Sequence, residues 1–190
     1  MIRWLITVAL LLGATAGHAI DLEPNTDLAG HWIIDLERSD DGRASLEREV
    51  RRVDKDLSPR RGNAVLPRGV PRARLGEQLL TPLRLPENGV ELRIDEDAVH
   101  FRRDDGPPET LHTDGRPSVV SSASRGVHVA AWEDGVLWIE RSSDRGTRVI
   151  EAWRQTAAGL AADFEIRNGL FEDHVTFTLQ FVPAADREAP

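Results

Sequence analysis

From Val90 onward, apolar and polar residues alternate with period two, and this pattern restricts most of the chain to half-buried β-strands. Val90, Leu92 and Ile94 alternate with Glu91, Arg93 and Asp95. Val99 and Phe101 alternate with His100 and Arg102, and Leu160, Ala162, Phe164 and Ile166 with Ala161, Asp163, Glu165 and Arg167. Val175, Phe177, Leu179 and Phe181 alternate with Thr176, Thr178 and Gln180. Side chains along a strand point to opposite faces in turn, so each segment offers one face to a core and one to water, as antiparallel sheets do. Asp105-Gly106-Pro107, Asp114-Gly115, Asp134-Gly135, Asp144-Arg145-Gly146 and Ala158-Gly159 punctuate the run with turn chemistry. Eight or nine short strands at nearly even spacing predict a mainly β domain. Its form is an antiparallel up-and-down meander, closed into a barrel or stacked as a sandwich. His31–Glu37 is the expected first strand, ended by Ser39-Asp40-Asp41-Gly42.

Two hairpins can be set in register. With Gly106 as turn centre, Phe101 faces Leu111, Val99 faces Thr113, and His100 faces His112 on the outer face. Two histidines fall short of the three or four protein ligands a zinc site needs, so no metal site is expected. Around Asp134-Gly135 two loops compete. A two-residue loop pairs Trp132 with Leu137 and Ala131 with Trp138, leaving Val129 opposite Glu140. A three-residue loop sorts the residues better, with Val127, Val129, Ala131, Leu137 and Ile139 on one face. Ala130, Trp132, Val136 and Trp138 then share the other. In that register Trp132 and Trp138 form an apolar patch that a helix, a second sheet or a ligand must cover. They are the candidate ligand contacts.

One helix is expected, inserted after the first strand over residues 45–57. Leu46, Val50, Val53 and Leu57 recur at helical spacing on one face, with Ser45 as the cap. Residues 58–76 then lack any acidic residue and carry Pro59, Pro67 and Pro71 with Arg60, Arg61, Arg68, Arg72 and Arg74. Such a segment reads as a loop. Its five arginines are candidates for binding an anionic surface such as lipid headgroups, against the plainer reading that they lie over the protein's own acidic surface.

Residues 1–19 carry Arg3, an apolar run from Trp4 to Leu12, and small residues ending in Ala19, the three-part pattern of a cleavable signal peptide. The apolar run is shorter than the roughly 20 residues a membrane span needs. Cleavage after Ala19 would leave one domain over residues 20–186 and a tail over 187–190, located in a periplasm or the medium. There is no cysteine, so neither disulfides nor thiolate metal sites can form. The formal net charge of −8 excludes nucleic-acid binding through overall charge. Lys55 is the only lysine among 24 basic residues, a usage that fits a GC-rich bacterial genome.

Asp27-Leu28-Ala29-Gly30-His31-Trp32 resembles the N-terminal motif of the lipocalins, in which Gly-x-Trp opens the first strand. Glu23 and Asn25 suit the upstream positions, while Ile33 departs from the pattern. Thr113-Asp114-Gly115 resembles the second lipocalin motif without its aromatic residue, and the insertion over residues 39–85 is not usual in that family. The chain is also similar to exported proteobacterial proteins that begin Leu-x-Gly-x-Trp and continue into Ser-Asp-Asp. The lipocalin resemblance implies an eight-stranded barrel with Trp32 plugging its narrow end.

Catalytic motifs are missing: there is no Gly-x-Ser-x-Gly elbow, no His-Glu-x-x-His and no phosphate-binding glycine loop. His100, His128 and His174 lie between inward-facing apolar residues and are expected to point outward. The chain is therefore read as a non-enzymatic exported barrel without a cofactor that binds a small apolar ligand. The alternative is an envelope interaction module acting through the basic loop or a tryptophan patch.

Overall fold

The computed structural model describes residues 23–56, 85–119, 126–143 and 146–184. The expected leader and its expected cleavage point, Leu57, the basic segment with Arg60, Arg61, Arg68, Arg72 and Arg74, and residues 187–190 lie outside the described residues.

The strands are β1 (Gly30–Ile34), β2 (Gly89–Ile94), β3 (Ala98–Arg103), β4 (Glu109–His112), the two-residue β5 (Ser118–Val119) and β6 (Gly126–Glu133). They continue with β7 (Val136–Ser143), β8 (Arg148–Thr156), β9 (Gly159–Arg167) and β10 (Val175–Pro183). All belong to one antiparallel sheet in the order β4-β3-β2-β1-β10-β9-β8-β7-β6-β5. The expected meander is therefore present, with a two-residue strand beyond the nine longer ones. A single sheet that curls back on itself is a barrel rather than a sandwich. It is nearly closed: the His112 N–H donates to Ser118 Oγ at 3.2 Å, and Asp114 bridges Ala131.

The core follows the alternation. Val90, Leu92, Val99, Phe101, Leu160, Ala162, Phe164, Ile166, Val175, Phe177, Leu179 and Phe181 are all buried. Trp153 is fully buried at the centre, 4.9 Å from the Phe101 ring in an edge-on contact. One end is shut by the lead-in, where the 3-10 turn Thr26–Leu28 places Leu28 in the core and the Trp32 indole N–H donates to the Leu28 carbonyl at 3.0 Å. Asn25 Nδ2 ties this plug to the β6–β7 turn through the Gly135 carbonyl.

Helix α1 (Gly42–Asp56) follows β1 and buries Leu46, Val50 and Val53, the expected face. Its start differs from expectation. The cap is Asp41, whose carboxylate accepts from the Ala44 N–H at 2.9 Å, and Ser45 lies inside the first turn. A carboxylate satisfies an orphan N–H and also complements the positive end of the helix dipole, so Asp41 begins the helix before Ser45 can. Gly42 lies against the Phe177 ring, where a Cβ would meet the ring at 2.3 Å, and this fixes how closely α1 approaches β10. Asp41→Ala is expected to lower stability by about 1 kcal/mol in denaturant titration, while Asp41→Asn stays close to wild type.

Both hairpin registers differ from expectation. In the first, Phe101 pairs with Glu109, Val99 with Leu111 and His100 with Thr110, two residues from the expected alignment. His100 and His112 are therefore not opposite each other. His100 instead contacts Thr110 Oγ1 at 3.0 Å and Asp95 Oδ2 at 2.8 Å. The cause is the turn: Asp104 adopts positive φ and its carboxylate accepts from the N–H groups of Glu87, Asn88 and Gly89, which ties the turn to the start of β2. In the second hairpin the two-residue loop is the one formed. Asp134 and Gly135 both have positive φ, Glu133 pairs with Val136, and Trp132 pairs with Leu137. Positive φ at both loop residues matches the twist of the strands and is what Asp-Gly supplies best.

Candidate functional site

The end of the barrel opposite the Leu28–Trp32 plug holds the chemistry. Here β3, β4, β6, β7 and β8 turn inward Arg103, Glu109, His128, Arg141 and Glu151, all buried. Each stands in phase with an apolar row: Arg103 follows Val99 and Phe101, Arg141 follows Leu137 and Ile139, and Glu151 lies between Val149 and Trp153.

Glu151 is the hub. Its two oxygens accept from Arg103 Nη2 at 2.8 and 2.7 Å, from Arg141 Nε at 2.6 Å and from the Trp153 indole N–H at 2.9 Å. Arg141 Nη1 also donates to Glu109 Oε2 at 2.6 Å and to His128 Nδ1 at 2.8 Å. Nδ1 must carry the lone pair to accept, so His128 is the neutral tautomer protonated on Nε2. Arg103 lies 4.5 Å over the Phe101 ring and 3.8 Å from Glu109 Oε2. Two cations, two anions and a neutral imidazole leave the cluster without net charge, which is how such groups tolerate an apolar interior.

The electrostatics follow from that packing. Burial acts to raise the Glu151 carboxyl, but Arg103 and Arg141 outweigh it and hold it at about 2. Glu109 is lowered in the same way: burial opposes the shift, and Arg141 and Arg103 outweigh it. Burial, with Arg141 beside it, lowers His128 from 6.5 to about 4. The unfolded chain therefore protonates His128 near pH 6.5 and the folded chain only near 4. The stability this difference contributes is fully present above pH 6.5 and is lost as the pH falls toward 4. Stability is expected to drop by about 2 kcal/mol over that interval, measured as the denaturation midpoint against pH. His128→Gln should flatten this limb.

Beside the cluster, at the same end, a cleft of about 760 Å³ opens between α1, β1 and β10. Ile34, Leu36, Leu46, Leu85, Phe177 and Leu179 make its apolar wall, and Asp40, Asp41, Arg43 and Glu87 its rim. A second recess of about 310 Å³ shares Leu85 and Glu87 with it and is lined by Phe101, Arg103, Asp104 and Glu109.

The structure separates the two expected tryptophan contacts. Trp132 points into the barrel and is 2% exposed, whereas Trp138 is on the outer wall and 40% exposed, so they share no face. This corrects the three-residue register. His128, expected to face water, pairs with Arg141 inside, and Val129 and Glu140, opposite each other, stand half-buried on the other face. His128 is thus buried, contrary to expectation, while His100 and His174 lie on the outside. Sequence reasoning missed all five charged or polar members of the cluster. The available signal was their phase with the apolar rows.

Among the described residues, no three His, Cys, Asp or Glu side chains come together as metal ligands, and no helix is long and apolar enough to cross a membrane. The architecture is that of an antiparallel β-barrel with one inserted helix. No family model matches the sequence, and no curated protein matches it. Among solved structures, it is similar to secretory abundant heat soluble protein 4 from Ramazzottius varieornatus. The identity is 12% and the TM-score 0.47, over 84% of this chain and 96% of that one.

Proposed function

We propose that this protein is an exported, non-enzymatic carrier that binds a small apolar ligand in the cleft beside α1. The observation that carries this reading is a cleft of about 760 Å³ with an apolar wall and a charged rim at one barrel end, within the size range of small-molecule sites. Leu36 stands on its edge, 73% exposed, and adds apolar surface to the mouth of the cleft. Export is supported by the leader pattern of residues 1–19. A binding role rather than catalysis is supported by the cluster's chemistry: carboxylates held below their usual range by arginines are poor general acids near neutral pH.

Native mass spectrometry of gently purified protein is the test. The expected result is a discrete apolar adduct that denaturation releases. Its occupancy should fall at least about fivefold in Leu36→Asp/Leu85→Asp, since each added charge must be desolvated when the ligand binds. A clean apo mass, together with no displacement of an apolar fluorophore, would overturn the reading. Trp138→Ala serves as a second arm. Trp138 lies on the outer wall beside Ile150 and Ala152, where an interaction surface would use it. Loss of the adduct in that variant alone would move the site to the outer wall.

A further inference from the structure

The charged cluster lies where the barrel has no ladder to hold it shut. In the sheet order β4 and β5 are the two edges, and no row of paired residues joins them. Among the described residues, backbone groups contribute little across this seam. The His112 N–H reaches Ser118 Oγ, and from the connecting turn the Gly115 N–H donates to the Ala130 carbonyl at 3.1 Å. The cluster supplies further ties. Arg103 and Glu109 stand on the β3–β4 side of the seam, and His128, Arg141 and Glu151 on the β6–β8 side. Two ion pairs span the gap, Arg141 to Glu109 at 2.6 Å and Arg103 to Glu151 at 2.7 Å. Elsewhere neighbouring strands are joined by backbone ladders.

His128 is the weak member of this clasp. Arg141 Nη1 donates both to Glu109 Oε2 and to His128 Nδ1. A proton on Nδ1 turns that acceptor into a donor facing another donor. The charged groups turned toward His128 are Arg141 from β7, Glu109 from β4, Glu151 from β8 and Arg103 from β3, while Ser118, opposite it on β5, is uncharged. Protonation therefore converts a matched set into three cations against two anions. Burial, then Arg141 and Arg103, outweigh the two glutamates and hold the ring at about 4. Glu109 and Glu151 are both lowered by the arginines and stay ionised in mild acid, so His128 is the member of the cluster that titrates there. Local opening follows the least-held boundary of a fold. Parting the seam lets water reach the imidazolium without breaking a ladder. We propose that the cluster is an acid-released clasp: protonated His128 parts β4 from β5 and β6 and opens the barrel wall, while the remaining strand pairs hold. The clasp requires no ligand and stands apart from the carrier reading.

The chain has no cysteine, so a single introduced thiol reports on each wall. Ala130 is buried on β6 at the seam, and Ala162 is buried on β9, far from it in the sheet order. Ala130→Cys and Ala162→Cys are reacted with a pyridyl disulfide from pH 7.5 to pH 4, and each rate is divided by that of the denatured chain at the same pH. The normalised rate of Ala130→Cys is expected to rise about thirtyfold between pH 7.5 and pH 5, the ratio set by one proton taken up between 6.5 and about 4. Ala162→Cys should stay at least about tenfold slower at every pH, because its ladders hold. His128→Gln, whose amide oxygen still accepts from Arg141, should remove the rise. Equal normalised rates for the two thiols would mean that acid unfolds the whole chain, and would overturn the proposal. So would the absence of a rise, or a rise that survives His128→Gln. If His128→Gln does not fold, the onset decides: a rise that begins only below pH 4.5, where ordinary carboxylates titrate, overturns the assignment to His128.

Discussion

Glu151→Gln is expected to lower folding stability by about 3–5 kcal/mol, read from the midpoint of a denaturant titration. The side chain is fully buried, and it accepts from both arginines and from Trp153. Glutamine keeps one oxygen acceptor and replaces the other with an N–H₂ group that faces existing donors. Two buried guanidiniums are then left to share Glu109. The cost comes from breaking a matched set rather than from any large net benefit of having it, because taking four charges out of water offsets much of their attraction. That account makes a second, opposite expectation. Replacing Arg103, Glu109, Arg141 and Glu151 together with Met or Leu should leave stability within about 2 kcal/mol of wild type. The acid limb provides a further check. With Glu151 at about 2 in the folded state and 4.5 as its ordinary value, its stabilising contribution is present above pH 4.5 and is lost as the pH falls toward 2. Glu151→Gln should remove that limb.

Trp153→Ala is expected to cost a further large amount, about 3–5 kcal/mol. The ring is fully buried and packs against Phe101, Phe164 and Phe181 at centroid distances of 4.9, 6.0 and 5.5 Å. Removing it opens a void between strands on opposite walls of the barrel, where the sheet cannot relax to fill the space. Trp153→Phe separates the two roles of the residue. It keeps most of the volume but removes the N–H to Glu151, and should cost about 1–2 kcal/mol. Equal losses in the two variants would mean that the hydrogen bond, and not the packing, dominates.

The fold was largely legible in the sequence, because period-two alternation fixes which side chains face inward whatever the partner strand. Val90, Leu92, Phe164, Ile166, Phe177 and Phe181 are buried as that rule requires. Register was less legible. Taking Gly106 as the turn centre misaligns the first hairpin and sorting residues into apolar and polar faces misaligns the second, and both are decided by turn backbone instead: Asp104 and the Asp134-Gly135 pair take up positive φ. The cluster was not legible, since a rule that sends charge to water also sends Arg103, Arg141 and Glu151 outward. A second rule would have found them. A charged residue in phase with a run of Val, Leu, Ile or Phe is inside, and its counter-charge lies on a neighbouring strand at the same depth. The α1 cap shows the same lesson on a small scale, because Asp41 and Ser45 are both cap residues, and the earlier carboxylate takes the Ala44 N–H while Gly42 lets the helix begin against Phe177.

The sheet order has a consequence for chain connectivity. The first and last strands are zipped together, with Trp32 beside Pro183, while the seam of the barrel falls in mid-sequence between β4 and β5. The described ends of the chain therefore emerge side by side at the plugged end, far from the cleft. A short linker from residue 184 back to residue 23, with new termini cut between residues 113 and 117, would give a circular permutant whose chain ends coincide with the natural seam. Every pairing between neighbouring strands would be kept, and the barrel would be written as an uninterrupted meander from one edge to the other.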